Sequence, residues 1–340
     1  MRIFSGVQGY FVLMIWLIII LFILCAVSLT NGVYNVPFSQ TVKILFSNIL
    51  DIEQTWSNNM YVVIINIRLP RIIAAVLIGF SLALAGASYQ GVFQNPLVSS
   101  DILGVSSGAT VGAAASILLG LGYYLNMTFA FIGGLIAVTL CVFLPTLTKK
   151  KSTLALILSG IIVGGFLSSI LGLIVYLADP ETQLPSIVFW QMGSLSKVTY
   201  SSLAIATPMI IICCVFLLLM RWRINALSLS DREAQSLGVN LVKERSLVIV
   251  FSTILTAVSV CISGTIGWIG LIMPHFARLL VGDDNAKVFP LAGIISAIFL
   301  IVVDLFARNL TGAEIPLGII TGFLGAPLFA FLLVRQRKVM

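Results

Sequence analysis

From Tyr10 to Val334 the chain is a succession of long apolar runs, and these constrain its fold more than any motif does. Phe11 to Leu29 alone is about 19 residues without a charge, close to the ~20 that an α-helix needs to cross a bilayer. Lipid offers a bare backbone no hydrogen bonds, so a crossing segment must be a helix or a strand of a closed barrel. Barrel strands alternate apolar and polar residues, and runs of this kind exclude them. Of the 340 residues, 59% are hydrophobic and 9% charged, against ~25% charged in a soluble domain. The chain therefore reads as an all-α polytopic membrane protein of about ten spans, one transmembrane domain over residues 1–340.

The expected spans are Tyr10–Thr30, Tyr61–Phe93, Ile102–Leu121, Met127–Thr146, Leu154–Leu177, Ser201–Met220, Ser246–Ser263, Ile266–Val281, Val288–Arg308 and Ile315–Val334. The first run is too long for the apolar core of a signal peptide and no clean A-x-A site follows, so it is read as a retained span. Asn31–Asn59 reads as a polar linker ending near the interfacial aromatics Trp56 and Tyr61, and Ala178–Tyr200 as a polar, aromatic loop. With the N-terminus inside, only Lys43, Arg68, Arg71, Lys197 and Arg308 of the 19 Lys and Arg lie outside. That bias puts both termini in the cytoplasm. Arg2, Lys149–Lys151, Arg335, Arg337 and Lys338 then serve as inner anchors. The net charge of +7 is scattered over segment ends and facing membrane lipid, which is no signal for nucleic acid.

Small residues recur at helical spacing in Gly104/Gly108/Gly112, Gly160/Gly164 and Gly318/Gly322, the pattern that lets membrane helices approach closely. Gly86 precedes Pro96, and Gly264 precedes Pro274, by the same interval, which suggests a repeated unit. The five cysteines all sit in apolar runs and read as small buried hydrophobes, with no metal site or cofactor implied. No P-loop, H-E-x-x-H or G-x-S-x-G occurs, and there is one histidine. Acids within the spans are nearly absent, Asp304 being the main one. An ion-coupled transporter or an intramembrane enzyme would need more buried ionisable groups. The sequence names no catalytic residue, and any energy source must come from another chain.

Two polar features stand out. Arg221–Arg245 is the long charged interruption, and within it Ser230-Asp231-Arg232-Glu233 has the form of a capping box. Gly238 sits where a glycine would close the helix. The resulting short helix, Asp231 to Leu237 with Ala234 and Leu237 as apolar positions, is too short to stand alone. It reads as a knob on the cytoplasmic face that touches a partner, within a segment spanning 228–242. The second feature is Arg68, Arg71 and Arg308 at outer ends, against the charge bias. Arg68 and Arg71 can share a helix face, and guanidinium forks suit carboxylates. They fit a docking site for an acidic patch on an extracytoplasmic partner. Local pairing is the alternative, since Asp304 lies one helical turn before Arg308.

Arg68-Leu69-Pro70-Arg71, Gly86-Ala87, Gln90, Asn95-Pro96-Leu97 and Leu103-Gly104-Val105-Ser106 occur in the order found in the FecCD family. Gly264 to His275, Arg278-Leu279, Asp304, Ala307-Arg308, Glu314-Ile315-Pro316-Leu317-Gly318 and Gly325-Ala326-Pro327 continue the resemblance over essentially the whole chain. That family comprises permease subunits of ABC importers for ferric siderophores, haem and vitamin B12. The resemblance implies a type II importer permease of ten helices that pairs, as a homodimer or heterodimer, with a second permease subunit. It implies two cytoplasmic ABC ATPase subunits beneath the loop that contains Ser230, Asp231, Arg232, Glu233, Ala234, Leu237 and Gly238. It also implies a translocation path along the fifth span, at Ser159, Gly160, Gly164, Ser168, Gly172 and Tyr176. In the member that imports vitamin B12, arginines at the positions of Arg68, Arg71 and Arg308 face glutamates of an extracytoplasmic substrate-binding protein. By the same resemblance His275 is a hydrogen-bonded structural kink and Asp304 a structural ion pair, while Asp283-Asp284 reads as a cytoplasmic turn and cap.

Overall fold

The computed structural model describes residues 6–47, 49–50, 52–147 and 153–336. The anchors Arg2, Lys149–Lys151, Arg337 and Lys338, and the side chain of Arg335, lie outside the described residues. Every regular element described is helical. They are α1 (Val7–Thr30), α2 (Phe38–Phe46), α3 (Asn58–Val92), α4 (Val105–Leu118), α5 (Tyr123–Leu147) and α6 (Thr153–Leu177). Then come α7 (Gln183–Met192), α8 (Tyr200–Leu227), α9 (Asp231–Ser236), α10 (Leu241–Ser263), α11 (Ile269–Val281), α12 (Asn285–Asn309) and α13 (Leu317–Gln336). Ten of these carry the expected spans. The linker and the outer loop that read as irregular hold α2 and α7, short helices lying beside the bundle.

α3 is the axis of the bundle. Its most apolar window is 78% buried, against 22% for α6 and 11% for α1, and it packs on α8, α10, α11 and α12. A helix enclosed on all sides needs close approach, and Gly86 supplies it: a Cβ there would collide with the carbonyl of Gly270 in α11. α4 and α5 form a hairpin in the same way, with Gly108 and Gly112 against the backbone at Gly133 and Phe129. α6 packs on this hairpin by one edge, through Val163 and Leu167, and leaves Ile162, Phe166 and Leu173 exposed.

Residues Val62–Arg68 of α3 wind as a π-helix. Pro70 follows, and its missing N–H leaves a carbonyl one turn back without its usual donor. That widened turn belongs to helix segments under local constraint, and here it delivers Arg68. Two helices fall short of a bilayer: at 1.5 Å per residue α4 and α11 rise only ~20 Å. Residues 94–104, which hold the 3-10 turn Ser100–Leu103, and the irregular residues 264–268, with Trp268 at φ 72°, make up the missing depth. Irregular backbone survives in a membrane where it is enclosed or lines a cavity.

Two expectations are corrected. The suggested repeat dissolves: Gly86 is mid-helix while Gly264 closes α10, and Pro96 lies in a loop while Pro274 sits inside α11. His275 is buried, yet neither ring nitrogen finds a hydrogen-bond partner among the described residues; it packs edge-on to Phe329 instead.

Candidate functional site

At the outer end, α3, α12 and the turn before α13 converge on one charge cluster. Arg71 Nε donates to Asp304 Oδ1 at 2.6 Å, and its two terminal nitrogens donate to Glu314 at 2.9 and 2.8 Å. Arg308 Nε lies 3.1 Å from the other oxygen of Asp304, and Nη2 donates to Ser28 Oγ at 2.6 Å. Ser194 Oγ donates to Glu314 at 2.9 Å, tying in the segment after α7. Arg68 serves the end of α1: its guanidinium donates to the carbonyls of Leu29 at 2.6 Å, Thr30 at 2.9 Å and Tyr34. A cation there satisfies orphaned carbonyls and the negative end of the helix dipole together. Arg68 and Arg71 are each 4% exposed. The structure draws all three arginines into contacts within the chain: Arg71 and Arg308 pair with acids, the alternative that the Asp304–Arg308 spacing offered, while Arg68 meets backbone carbonyls. None of the three offers a free charge at the surface. Glu314, which carries half of this cluster, had no role in the sequence reading. The near absence of acids within the spans, which leaves few carboxylates able to meet the outer arginines, was the signal that could have found it.

At the cytoplasmic end the charged interruption folds as its capping signals dictate. Ser230 N–H donates to Glu233 Oε2 at 3.0 Å and the Glu233 N–H to Ser230 Oγ at 3.4 Å, a complete capping box. The helix closes one residue earlier than expected, with Leu237 as C-cap. Gly238 at φ 76° donates to Gln235, and Val239 donates to Ala234, the paired bonds of a Schellman close. Hydrogen bonds from the Ser230 hydroxyl and N–H hold the Glu233 carboxylate below its ordinary range. Asp231 is likewise depressed, chiefly by the hydrogen bond from Arg245, Nη2 to Oδ1 at 2.6 Å. Ala234 is fully buried, whereas Arg232 is exposed and Leu229, Leu237 and Val242 present apolar surface to solvent.

The predicted path residues divide. Ser159 and Gly160 are buried packing positions, Ser159 donating to Ala155 and Gly160 lying against the carbonyl of Ile102. Gly164 faces open space, and Ser168, Gly172 and Tyr176 are exposed along one face of α6. Ser168 reaches a cavity of about 310 Å3 whose other walls include Asp101, Ser106, Thr110, Gln191 and Thr265. Both irregular stretches, 94–104 and 264–268, contribute to it. On the outer side a cavity of about 950 Å3 opens between the α4–α5 turn, α7 and the start of α8, with Phe189, Trp190 and Lys197 among its walls. Among the described residues no group of three His, Cys, Asp or Glu could hold a metal ion.

The family described as the FecCD transport family matches residues 18–335. The molybdate import system permease protein MolB of Haemophilus influenzae is 38% identical over 322 residues, covering 95% of this chain and 95% of that one. A probable iron chelatin transport system permease protein of Helicobacter pylori is 40% identical over 282 residues, covering 83% of this chain and 85% of that one. A solved structure described as an inward-facing conformation of a putative metal-chelate type ABC transporter superposes with a TM-score of 0.84 at 38% identity, over 95% of this chain and 99% of its own.

Proposed function

The chain belongs to the FecCD transport family, a multi-pass membrane permease of the ABC importer class, and on that premise we propose that it takes up a chelated iron compound, a ferric siderophore. An extracytoplasmic binding protein hands the cargo to the outer face. Two cytoplasmic ATPase subunits bind beneath α9 and supply the energy. A second permease subunit, identical or related, covers the exposed face of α6. The observation that carries the reading is α9 itself. A helix too short to be stable alone is capped at both ends and presents Leu229, Leu237 and Val242 outward, on a chain with no nucleotide-binding loop of its own.

The permease does no covalent chemistry in this reading. ATP binding to the partner shifts the pair of permeases between states only by as much as the partner's docking differs between them. The outer cavity is roomy enough for a bulky chelate and is walled by the rings of Tyr123, Phe189 and Trp190, with Lys197 as its charged wall residue. The binding protein docks on the surface that Arg68, Arg71 and Arg308 shape from beneath. The relative that imports molybdate favours a second reading, a small oxyanion.

The test is uptake by cells lacking and carrying the chain, with ferric siderophores, haem, cobalamin and molybdate side by side. Uptake of a ferric siderophore that depends on the chain is the result expected. Dependence of molybdate uptake instead would move the cargo to the second reading, and dependence of none would overturn both.

A further inference from the structure

Gln94, just past the end of α3, holds a φ of 51°, a left-handed backbone that a non-glycine residue adopts at a cost. That turn aims its amide at the segment leading into α9. Nε2 donates to the carbonyl of Leu227 at 3.1 Å and also to that of Leu229, and the side chain reaches Asp231. Leu227 is the last residue of α8, so its carbonyl is one of the orphans of a helix end. Such groups face water readily in the cytoplasm and need no strained residue to satisfy them. Strain of this kind persists where the surroundings hold it in place, and it gathers at moving parts.

The surroundings are well tied. Asn225 Nδ2 donates to Asp284 Oδ1 at 2.7 Å, and the Asn285 N–H donates to Asn225 Oδ1 at 2.8 Å. Gly91 has no room for a Cβ because Ile224 lies against it. The ends of α3 and α8 and the start of α12 are thereby fastened together beside α9. Beyond Gln94 the backbone leaves the helix. Leu97 N–H closes a turn on Asn95 Oδ1 at 2.9 Å, and the 3-10 turn Ser100–Leu103 brings Asp101 to the wall of the inner cavity. There Asp101 accepts from Ser106, across the cavity from Ser168 of α6.

We propose that Gln94 is a positioning residue that transmits movement of α9 to the inner cavity. Its amide grips the backbone on both sides of the α8–α9 junction, and its own backbone begins the irregular stretch that ends at Asp101. A displacement of α9 by a bound ATPase pulls on Gln94 and, through residues 95–103, changes the opening of the cavity beside Ser168. The inference rests on reading α9 as the contact for an ATPase.

The experiment uses the assembled permease with its ABC ATPase in nanodiscs and a cysteine at Ser107, which lines the same cavity. The probe is a membrane-impermeant maleimide, its labelling rate compared without nucleotide and with ATP plus vanadate. Native cysteines are half-buried at Cys25 and buried elsewhere, and their background is subtracted with the parent protein. The parent carrying Ser107→Cys is expected to change its rate at least about fivefold between the two states, the lower end of ordinary coupling. Gln94→Gly keeps the left-handed backbone and removes the amide. It should hold the ATPase and lose the difference in rate. Gln94→Lys restores a donor of sufficient reach and should recover much of the difference. A full difference in Gln94→Gly would overturn the proposal. Loss of the ATPase from that variant would overturn it too, because Gln94 would then shape the docking surface rather than pass on its movement. If the parent itself binds no ATPase, the reading of α9 fails first, a distinct result.

Discussion

At the outer face Arg71 meets Asp304 at 2.6 Å with side chains 5% and 1% exposed; at the inner face Arg245 meets Asp231 at the same 2.6 Å with side chains 22% and 59% exposed. Identical chemistry at identical distance does different work in these two places. The outer pair lies out of water, and each charge there depends on its partner, because an unpaired buried ion costs several kcal/mol. The cluster with Glu314 and Arg308 therefore locks α3, α12 and the turn before α13 into one arrangement. The inner pair opens to solvent at Asp231, is screened by salt, and contributes little to holding the fold. Its place is on a short helix whose shape comes from local caps. The outer charges fasten the bundle, and the inner ones dress a surface that another chain can grip.

The largest effect expected from breaking this contrast is Asp304→Ala. It strands Arg308, leaves Arg71 with Glu314 alone, and should cost ~3–5 kcal/mol, read as a loss of folded protein or a lowered unfolding midpoint in detergent. A midpoint unchanged by that substitution would mean the cluster is hydrated. Glu314→Gln removes one charge but keeps the shape, and Arg71 retains Asp304. A loss of ~1–3 kcal/mol is expected in the same assay. At the inner face, Ser230→Ala should cost only ~1 kcal/mol of local helix stability. Hydrogen exchange should show this at Asp231–Ser236 with the global midpoint unmoved, while uptake falls severalfold. A shift of the global midpoint would show α9 to be part of the core.

Acid provides a finer separation. Asp231 and Glu233 both have depressed folded values, from Arg245 and from the Ser230 contacts respectively. Their contribution is complete above the ordinary carboxylate range and disappears as pH falls through the depressed values. A spin label replacing the exposed Leu237 should therefore gain mobility in that acidic window and in no other. Smallest of all, Asp231→Asn should change stability by under about 1 kcal/mol, and by less still at high salt.

Much of this contrast was legible in the residues. The capping box and the closing Gly238 follow local rules, since every partner lies within a few positions along the chain, and α9 formed nearly where they put it. The ten apolar spans were equally visible, because the bilayer imposes length directly. What escaped were contacts between distant segments. Glu314 is 243 positions from Arg71, and Gln94 reaches across 133 to Leu227; no local pattern announces either. The shortening of α4 and α11 was hidden as well, since irregular backbone inside a cavity keeps the apolar composition of a span. His275 shows the opposite error: a proline-histidine pair suggested a hydrogen bond, and an aromatic ring stands there instead.

The most direct test of the account is whether the chain retains an ABC ATPase subunit through purification when one face or the other is altered. The account predicts that Ser230→Ala combined with Glu233→Ala releases the ATPase, while Glu314→Gln, if folded, retains it at the level of the parent. Retention by the inner-face variant, or release by the outer-face one, would contradict the division of labour between the two faces.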